Sequence, residues 1–388
     1  MTTMTHPTLA EEVKGPRTLS MTRFVLVISA LALVFAVALG GGLRQGVLAL
    51  LGIGFGAVLQ GARFGFTTGW RDYIEHRNPQ GIWAQMLLLV LAAAVSLPLL
   101  AANAGELVGA VAPLTISLVL GAFLFGAAMQ LADGCGSGTL YKAGAGAPIS
   151  FAVLPPFAIG SFVGASHQPA WIALGGLPPV DMLQFGWPVA LAITVTGCAL
   201  VAWLAARGAR KHRAAHGEAA NPASTLWEKR WWIGAVLLAI LYVAHLVVAG
   251  QPWGIVYGIG LWGAKAAAAV GWSPVGDAFW GVAPHADRLA APILADVTSV
   301  TNIGLIFGAL AGSRWNGPAD IKLPKAKRLI AASIAGLVMG YTSRMAFGCN
   351  VGAFLDGIAS ASVHGWVWFA LAFAGSLVGV RIRRRVSA

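Results

Sequence analysis

GAFLFGAAMQLADGCGSGTLYKAGAG, residues 121–146, is the stretch on which the fold turns. An apolar run is interrupted by Asp133-Gly134-Cys135-Gly136-Ser137-Gly138, and a shorter apolar piece follows. A near copy, GLVMGYTSRMAFGCNVGAFLDGIAS, occupies residues 336–360. With the two Gly-Cys pairs superposed, Gly126 falls on Gly340, Cys135 on Cys349 and Gly138 on Gly352. The repetition predicts two broken helices, each with a glycine-flanked thiol at its break.

Composition supplies their surroundings. The chain has 388 residues, 57% of them hydrophobic and 10% charged, against about 25% charged in soluble domains. Several apolar runs reach the roughly 20 residues that cross a hydrocarbon layer. The fold class is therefore an all-α polytopic membrane protein, with membrane lipid as its solvent. Fifty glycines suit close helix packing and broken helices. The net charge of +12 does not argue for nucleic acid, because the basic residues sit at the ends of apolar runs. Cys135, Cys198 and Cys349 form no CxxC and no zinc-ligand spacing. The histidines form no i, i+4 pair on one face within a span, so no metal, haem or other cofactor is expected. No P-loop is present to use ATP.

About ten spans are expected, beginning near residues 21, 47, 83, 113, 149, 187, 231, 293, 329 and 367. Residues 1–20 read as a disordered tail without a signal-peptide cleavage site. Residues 21–206 form a first membrane half, 207–230 a basic cytoplasmic linker and 231–385 a second half. Residues 253–281, interrupted by Gly, Trp and Pro, suit a re-entrant or interfacial piece better than a crossing. Ten crossings put both termini, the linker and the basic 314–328 stretch on one side, the cytoplasmic one by the charge rule. The Cys135 break then opens on that side and the Cys349 break on the other, which is a pseudo-symmetric inverted repeat. One echo conflicts: GIGFGAVLQGARFG (52–65) resembles GLIFGALAGSRW (304–315), yet the count runs both in the same direction. Either a crossing is miscounted or this echo is packing glycine.

A short helix starting inside a membrane points unpaired N–H groups and partial positive charge at what lies before it. That is an anion site. Gly134, Gly136 and Gly138, with Gly348 and Asn350 around the second thiol, let backbone approach a ligand. A thiol is a weak, soft donor suited to polarisable sulfur or selenium. Buried in apolar surroundings it stays uncharged and does not repel an anion. Weak contacts at two successive sites suit permeation, since tight binding stalls it.

The blocks around Cys135 (GCGSGTLYKAG) and Cys349 (GCNVGAF), with GFGAVLQGARFGFTTGWRD at 54–72, resemble the signature blocks of the YeeE/YedE family of sulfur-compound transporters. The resemblance covers roughly residues 52–375. It implies thiosulfate uptake across a bacterial inner membrane through a narrow, cysteine-lined, pseudo-symmetric pore, with Cys135 and Cys349 as pore thiols. It also implies a small soluble sulfur-carrier or sulfurtransferase partner on the cytoplasmic side. Where thiosulfate-transporting members carry a third cysteine in an Arg-Phe-Cys-Phe setting, this chain has Gly65. A related sulfur or selenium anion is thereby an alternative substrate. A membrane thiol-disulfide oxidoreductase is the rival class, but it wants a CxxC pair or a resolving thiol, and the sequence has neither. The expected protein is a permease rather than an enzyme.

Other residues divide between site and scaffold. Gln130 and Arg344 occupy matched places before the two Gly-Cys pairs, and a charge within a span is a functional candidate. Arg63 and Arg71 either draw an anion to the pore mouth or are interfacial charges, with Asp72 a partner for Arg71. Asp133 is expected to cap the short helix after it. Lys142 and Asp356 match and could pair across the pseudo-twofold axis. Cys198, in mid-span, reads as a small packing residue.

Overall fold

The computed structural model describes residues 16–216, 225–317 and 323–387. Most of the expected tail and the centre of the expected linker lie outside these residues. In chain order the helices are α1 (Pro16–Gly41), α2 (Leu43–Gly61), α3 (Phe66–His76), α4 (Gln80–Ala102), α5 (Ile116–Leu131), α6 (Gly136–Gly144), α7 (Pro148–Ala173) and α8 (Trp187–His216). Then follow α9 (Thr225–Ala249), α10 (Ile255–Ala269), α11 (His285–Ala290), α12 (Val297–Arg314), α13 (Ala326–Met345), a π-helical turn (Asn350–Leu355) running into α14 (Asp356–Ala359), and α15 (Val363–Ser387). Two-residue strands β1 (Leu114–Thr115) and β2 (Gly176–Leu177) pair antiparallel.

The chain is an all-α polytopic membrane protein. Among the described residues nine stretches are long and apolar enough to cross a membrane. The stretches containing α2, α5 and α13 each include the short helical piece that follows. The tenth expected span is α12, whose Thr298, Ser299, Thr301 and Asn302 dilute its apolar character and are all buried. α3 carries the chain on past Arg71 to His76: Phe66, Trp70 and Tyr73 share its buried face, and Arg77 ends it in the left-handed region (φ 54°). The basic stretch 207–230 is helical at both ends, since α8 runs to His216 and α9 starts at Thr225.

Lipid tails are as apolar as leucine, so helices in a membrane gain little from hydrophobic burial and associate by close backbone contact. Three glycine ladders provide it. A Cβ on Gly52 would strike the Thr301 carbonyl and one on Gly56 the Leu305 carbonyl. Gly304 and Gly308 meet Ala49 and Ile53 reciprocally. Both ladders advance together, so α2 and α12 run parallel. Likewise Gly375 and Gly379 of α15 meet Phe123 and Ala127 of α5. Gly160 and Gly164 of α7 meet Leu337 and Tyr341 of α13.

These contacts resolve the topology. α13 leaves the basic 314–328 stretch and α15 returns to Arg381–Arg385, so α5, parallel to α15, opposes α13. The order α2 to α7 is therefore repeated, inverted, by α9, α10, α12, α13, α14 and α15. The packing is mirrored: α5 lies on α15 as α13 lies on α7, and α2 lies on α12 as α9 lies on α4. The 52–65 and 304–315 echo is not part of this inversion. α2 and α12 run in the same direction and need the same glycines because they press against each other.

Candidate functional site

Each break is built the same way. Gly134 N–H donates to the Met129 carbonyl as Gly348 N–H does to Ser343. Asp133 (φ 63°) and Phe347 (φ 59°), one residue earlier, are both left-handed. A Cβ at Gly134 would lie 3.0 Å from the Gly138 carbonyl carbon, and one at Gly348 would lie 2.6 Å from that of Gly352. Only glycine lets the chain fold back this tightly. Cys135 and Cys349 then stand at the N-caps of the pieces that follow. Thr139 N–H donates to the Cys135 carbonyl and Ala353 N–H to that of Cys349, each at 2.8 Å. The Cys349 Sγ accepts from Val351 N–H at 3.4 Å, and the Cys135 Sγ lies 3.4 Å from the Ser137 hydroxyl.

The two breaks meet. A Cβ on Gly136, next to Cys135, would lie 3.0 Å from the Cys349 Sγ and 3.2 Å from a Val256 methyl at the start of α10. One on Gly138 would lie 3.7 Å from the Cys135 Sγ. Both thiols are buried, at 1% and 0% exposure, and all three cysteines are free. Asn350, also fully buried, leaves both side-chain polar atoms without a hydrogen-bond partner. Two further breaks join them, before α3 at Gly65 and before α10 at Gly254. The spacing Gly61, Gly65, Gly69 recurs as Gly250, Gly254, Gly258, a signal in the sequence that the Gly-Cys pattern overshadowed. A Cβ on Gly65 would lie 3.0 Å from the Thr68 Oγ1 and 3.6 Å from the Tyr141 hydroxyl.

Cavities lie at opposite ends of this junction. One of about 250 Å³ is lined by Gln168, Arg344, Phe347, Gly352, His364 and the 109–112 loop. Arg344 donates to the Gln168 Oε1 at 3.3 Å and receives Gln168 Nε2 on its own carbonyl at 2.7 Å. Its guanidinium lies over Phe279, 4.8 Å from the ring centre. Beside it, at the start of α11, His285 stacks on Phe279 at 3.9 Å and meets the Tyr257 hydroxyl at 3.0 Å. Burial, then the nearby Arg344 and Arg288, push the His285 pKa down to about 4.

The second cavity, about 440 Å³, is lined by Thr68, Arg71, Asp72, Glu75 and Trp231 among others, on the basic face. At its edge Asp133 gathers three cations. Arg71 is at 2.7 Å, Arg383 at 2.9 Å and Lys142 at 3.2 Å. Arg71 also donates to the Gln130 Oε1 at 3.1 Å. Asp133 is thus an ion-pair hub rather than a helix cap, because its left-handed backbone turns the side chain away from the helix that follows. Arg71 takes Asp133 instead of Asp72, which accepts from Asn78 and meets His76. Lys142 is held by Asp133, so it does not pair with Asp356. Arg63 is exposed. Cys198 is buried on α8, which packs on α4. Among the described residues no cluster of His, Cys, Asp and Glu could hold a metal ion.

The chain is similar in sequence to known transporters. The chain is similar to the thiosulfate transporter TsuA of Spirochaeta thermophila, 24% identical over 82% of this chain and 92% of that protein. It is also similar to TsuA of Escherichia coli, 22% identical over 85% and 93%. The probable transporter YedE of Escherichia coli is 30% identical over 160 residues, 40% of this chain. That match spans 39% of the length of YedE. A family profile described as sulphur transport matches residues 61–378, and the protein accordingly belongs to the sulphur transport family.

Proposed function

We propose that this transporter is a permease for thiosulfate or a closely related sulfur oxyanion, which passes the Cys349 and Cys135 thiols in turn. The observation that carries the reading is the meeting of the Cys349 Sγ with Gly136, beside Cys135, between cavities at opposite ends of the junction. Arg344 draws the anion into the first cavity. Backbone at Gly348, Asn350 and Gly352 receives it, and the helix N-termini behind both thiols offset its charge. An uncharged thiol then touches the outer sulfur of thiosulfate without holding it. Gly134, Gly136 and Gly138 pass the anion to Tyr141 and Gly65, and Gln130 and Arg63 stand toward the exit.

The basic face is cytoplasmic in this reading, and the membrane is a bacterial inner membrane. A soluble sulfur-carrier or sulfurtransferase protein would receive the anion there. The names of the two TsuA relatives support thiosulfate as the substrate. Gly65, where a third thiol is expected from the resemblance, favours a second reading in which a selenium or other sulfur anion is carried. The test is growth of a transport-deficient strain on thiosulfate as sole sulfur source. Cys135→Ala with Cys349→Ala should abolish uptake of labelled thiosulfate while leaving the protein inserted, and Cys198→Ala should change it less than twofold. Unchanged uptake by the double variant would refute the thiol path.

A further inference from the structure

The π-helical turn that follows Cys349 runs into Asp356, a carboxyl with 2% exposure inside the apolar Ala326–Ala359 stretch. No cation pairs with it among the described residues, and its Oδ1 has no hydrogen-bond partner. The matching residue of the first half is Lys142, and there the charge is balanced by Asp133. The residue matching Asp133 is Phe347, so Asp356 has no opposite charge at the place where Lys142 has one. A lone buried carboxylate is far costlier than a neutral carboxyl, and an intramembrane ionisable residue is a functional candidate by default.

It lies directly behind a cavity wall. A Cβ on Gly352, which lines the 250 Å³ cavity, would lie 4.0 Å from the Asp356 Oδ2. Ala110, another wall residue, donates its N–H to the Ser360 Oγ, one helical turn beyond Asp356, at 2.9 Å. The titratable groups on neighbouring elements are Tyr242 on α9, His364 on α15, Tyr141 and Lys142 on α6, and the Cys349 and Cys135 thiols. Of these, His364 lines the same cavity and packs on Gly357. α4 carries no titratable side chain along its length. In α10, Tyr257 meets His285 and Lys265 is bonded to the Leu289 carbonyl.

We propose that Asp356 carries a proton together with the anion, making the protein a proton–anion symporter. The site takes its proton from the cavity water as the carboxylate becomes the acid. The neutral acid lets a dianion pass Cys349 without repulsion, and the proton is released to water on the basic face after the anion leaves. The inference rests on the permease reading and supplies a driving force through the pH gradient, while one proton per dianion halves the charge that moves against an inside-negative potential.

The test uses the full chain in liposomes containing a trapped pH dye, clamped at zero membrane potential with potassium and valinomycin. Addition of labelled thiosulfate to the wild type should acidify the lumen in step with uptake. An acid-outside gradient of 1.5 pH units should raise initial uptake at least fivefold. Asp356→Asn should keep downhill thiosulfate exchange but lose both the dye signal and the gradient response, and Asp356→Glu should restore part of each. Wild-type uptake without acidification, or an Asp356→Asn protein with the wild-type gradient response, would overturn the symport while leaving the permease intact. A wild type that takes up no thiosulfate would overturn the permease reading itself.

Discussion

Arg344 shows how a single residue can be fixed and still available. Gln168 holds it on one side, and the rings of Phe279 and Tyr257 lie under the guanidinium. Its side chain also lines the cavity, where the proposed path brings an oxyanion. A hydrogen bond to a charged group is worth about 1.5–3 kcal/mol. Arg344→Gln should therefore raise the half-saturating thiosulfate concentration about tenfold or more, with a smaller effect on maximal rate, in liposome uptake. His285 nearby adds no charge at neutral pH. Its folded pKa of about 4 lies below the ordinary 6.5, so the unfolded chain binds a proton more readily, and stability falls as pH drops from about 6.5 through 4. His285→Asn should flatten that part of the pH–melting curve, as followed by thermal unfolding in detergent. The two matched breaks were legible in the sequence because their local spacing repeats. The Asp133 hub was not, since Arg383 lies in a distant part of the chain and no short-range pattern announces a contact between helix ends.

At the scale of elements, the helix pairs are set by glycines whose hydrogens touch a neighbour's carbonyls. Gly308 lies against the Ile53 carbonyl, whereas nothing stands within 4 Å of a Cβ added at Gly61. Gly308→Val should force α2 and α12 apart. Overpacking of this kind costs about 1–3 kcal/mol, which detergent melting would read as a clear fall in the transition temperature. Gly61→Ala should be neutral or slightly stabilising, since glycine in a helix is about 0.5–1 kcal/mol worse than alanine. The spans were readable from hydropathy alone. Their partners were not, because a small-residue stripe marks a close contact without saying which helix fills it. The echo between α2 and α12 illustrates this: identical spacing arose from mutual packing, and only the parallel contact ladder separates that from an internal repeat. The half-helix α10 was partly legible as interrupted apolar sequence. Its kinship with α3 rests on three glycines without a cysteine, which is too weak to stand alone.

For the whole molecule, inversion has a consequence that no single element has. Helices related by the inversion approach the junction from opposite sides, so the Cys349 break leads to the cavity holding Arg344 and the Cys135 break leads toward Arg71 and the basic face. The two cavities are separated at the junction by the buried thiols and the aromatic cluster of Phe66, Trp70, Phe354 and Trp368. On the proposed path an anion in one cavity meets one thiol before the other. In a Cys198→Ala background, a membrane-impermeant, negatively charged methanethiosulfonate applied to the face opposite the basic loops should modify Cys349 well before Cys135. Applied to the basic face it should modify Cys135 first. Thiosulfate in excess should slow both reactions, because the same anion occupies the approach to each sulfur. Mass spectrometry of the two cysteine peptides reads the order directly. Modification of both from one face at equal rates would mean that the breaks share an entrance, and the inverted path would then be wrong even if every helix stood where it does.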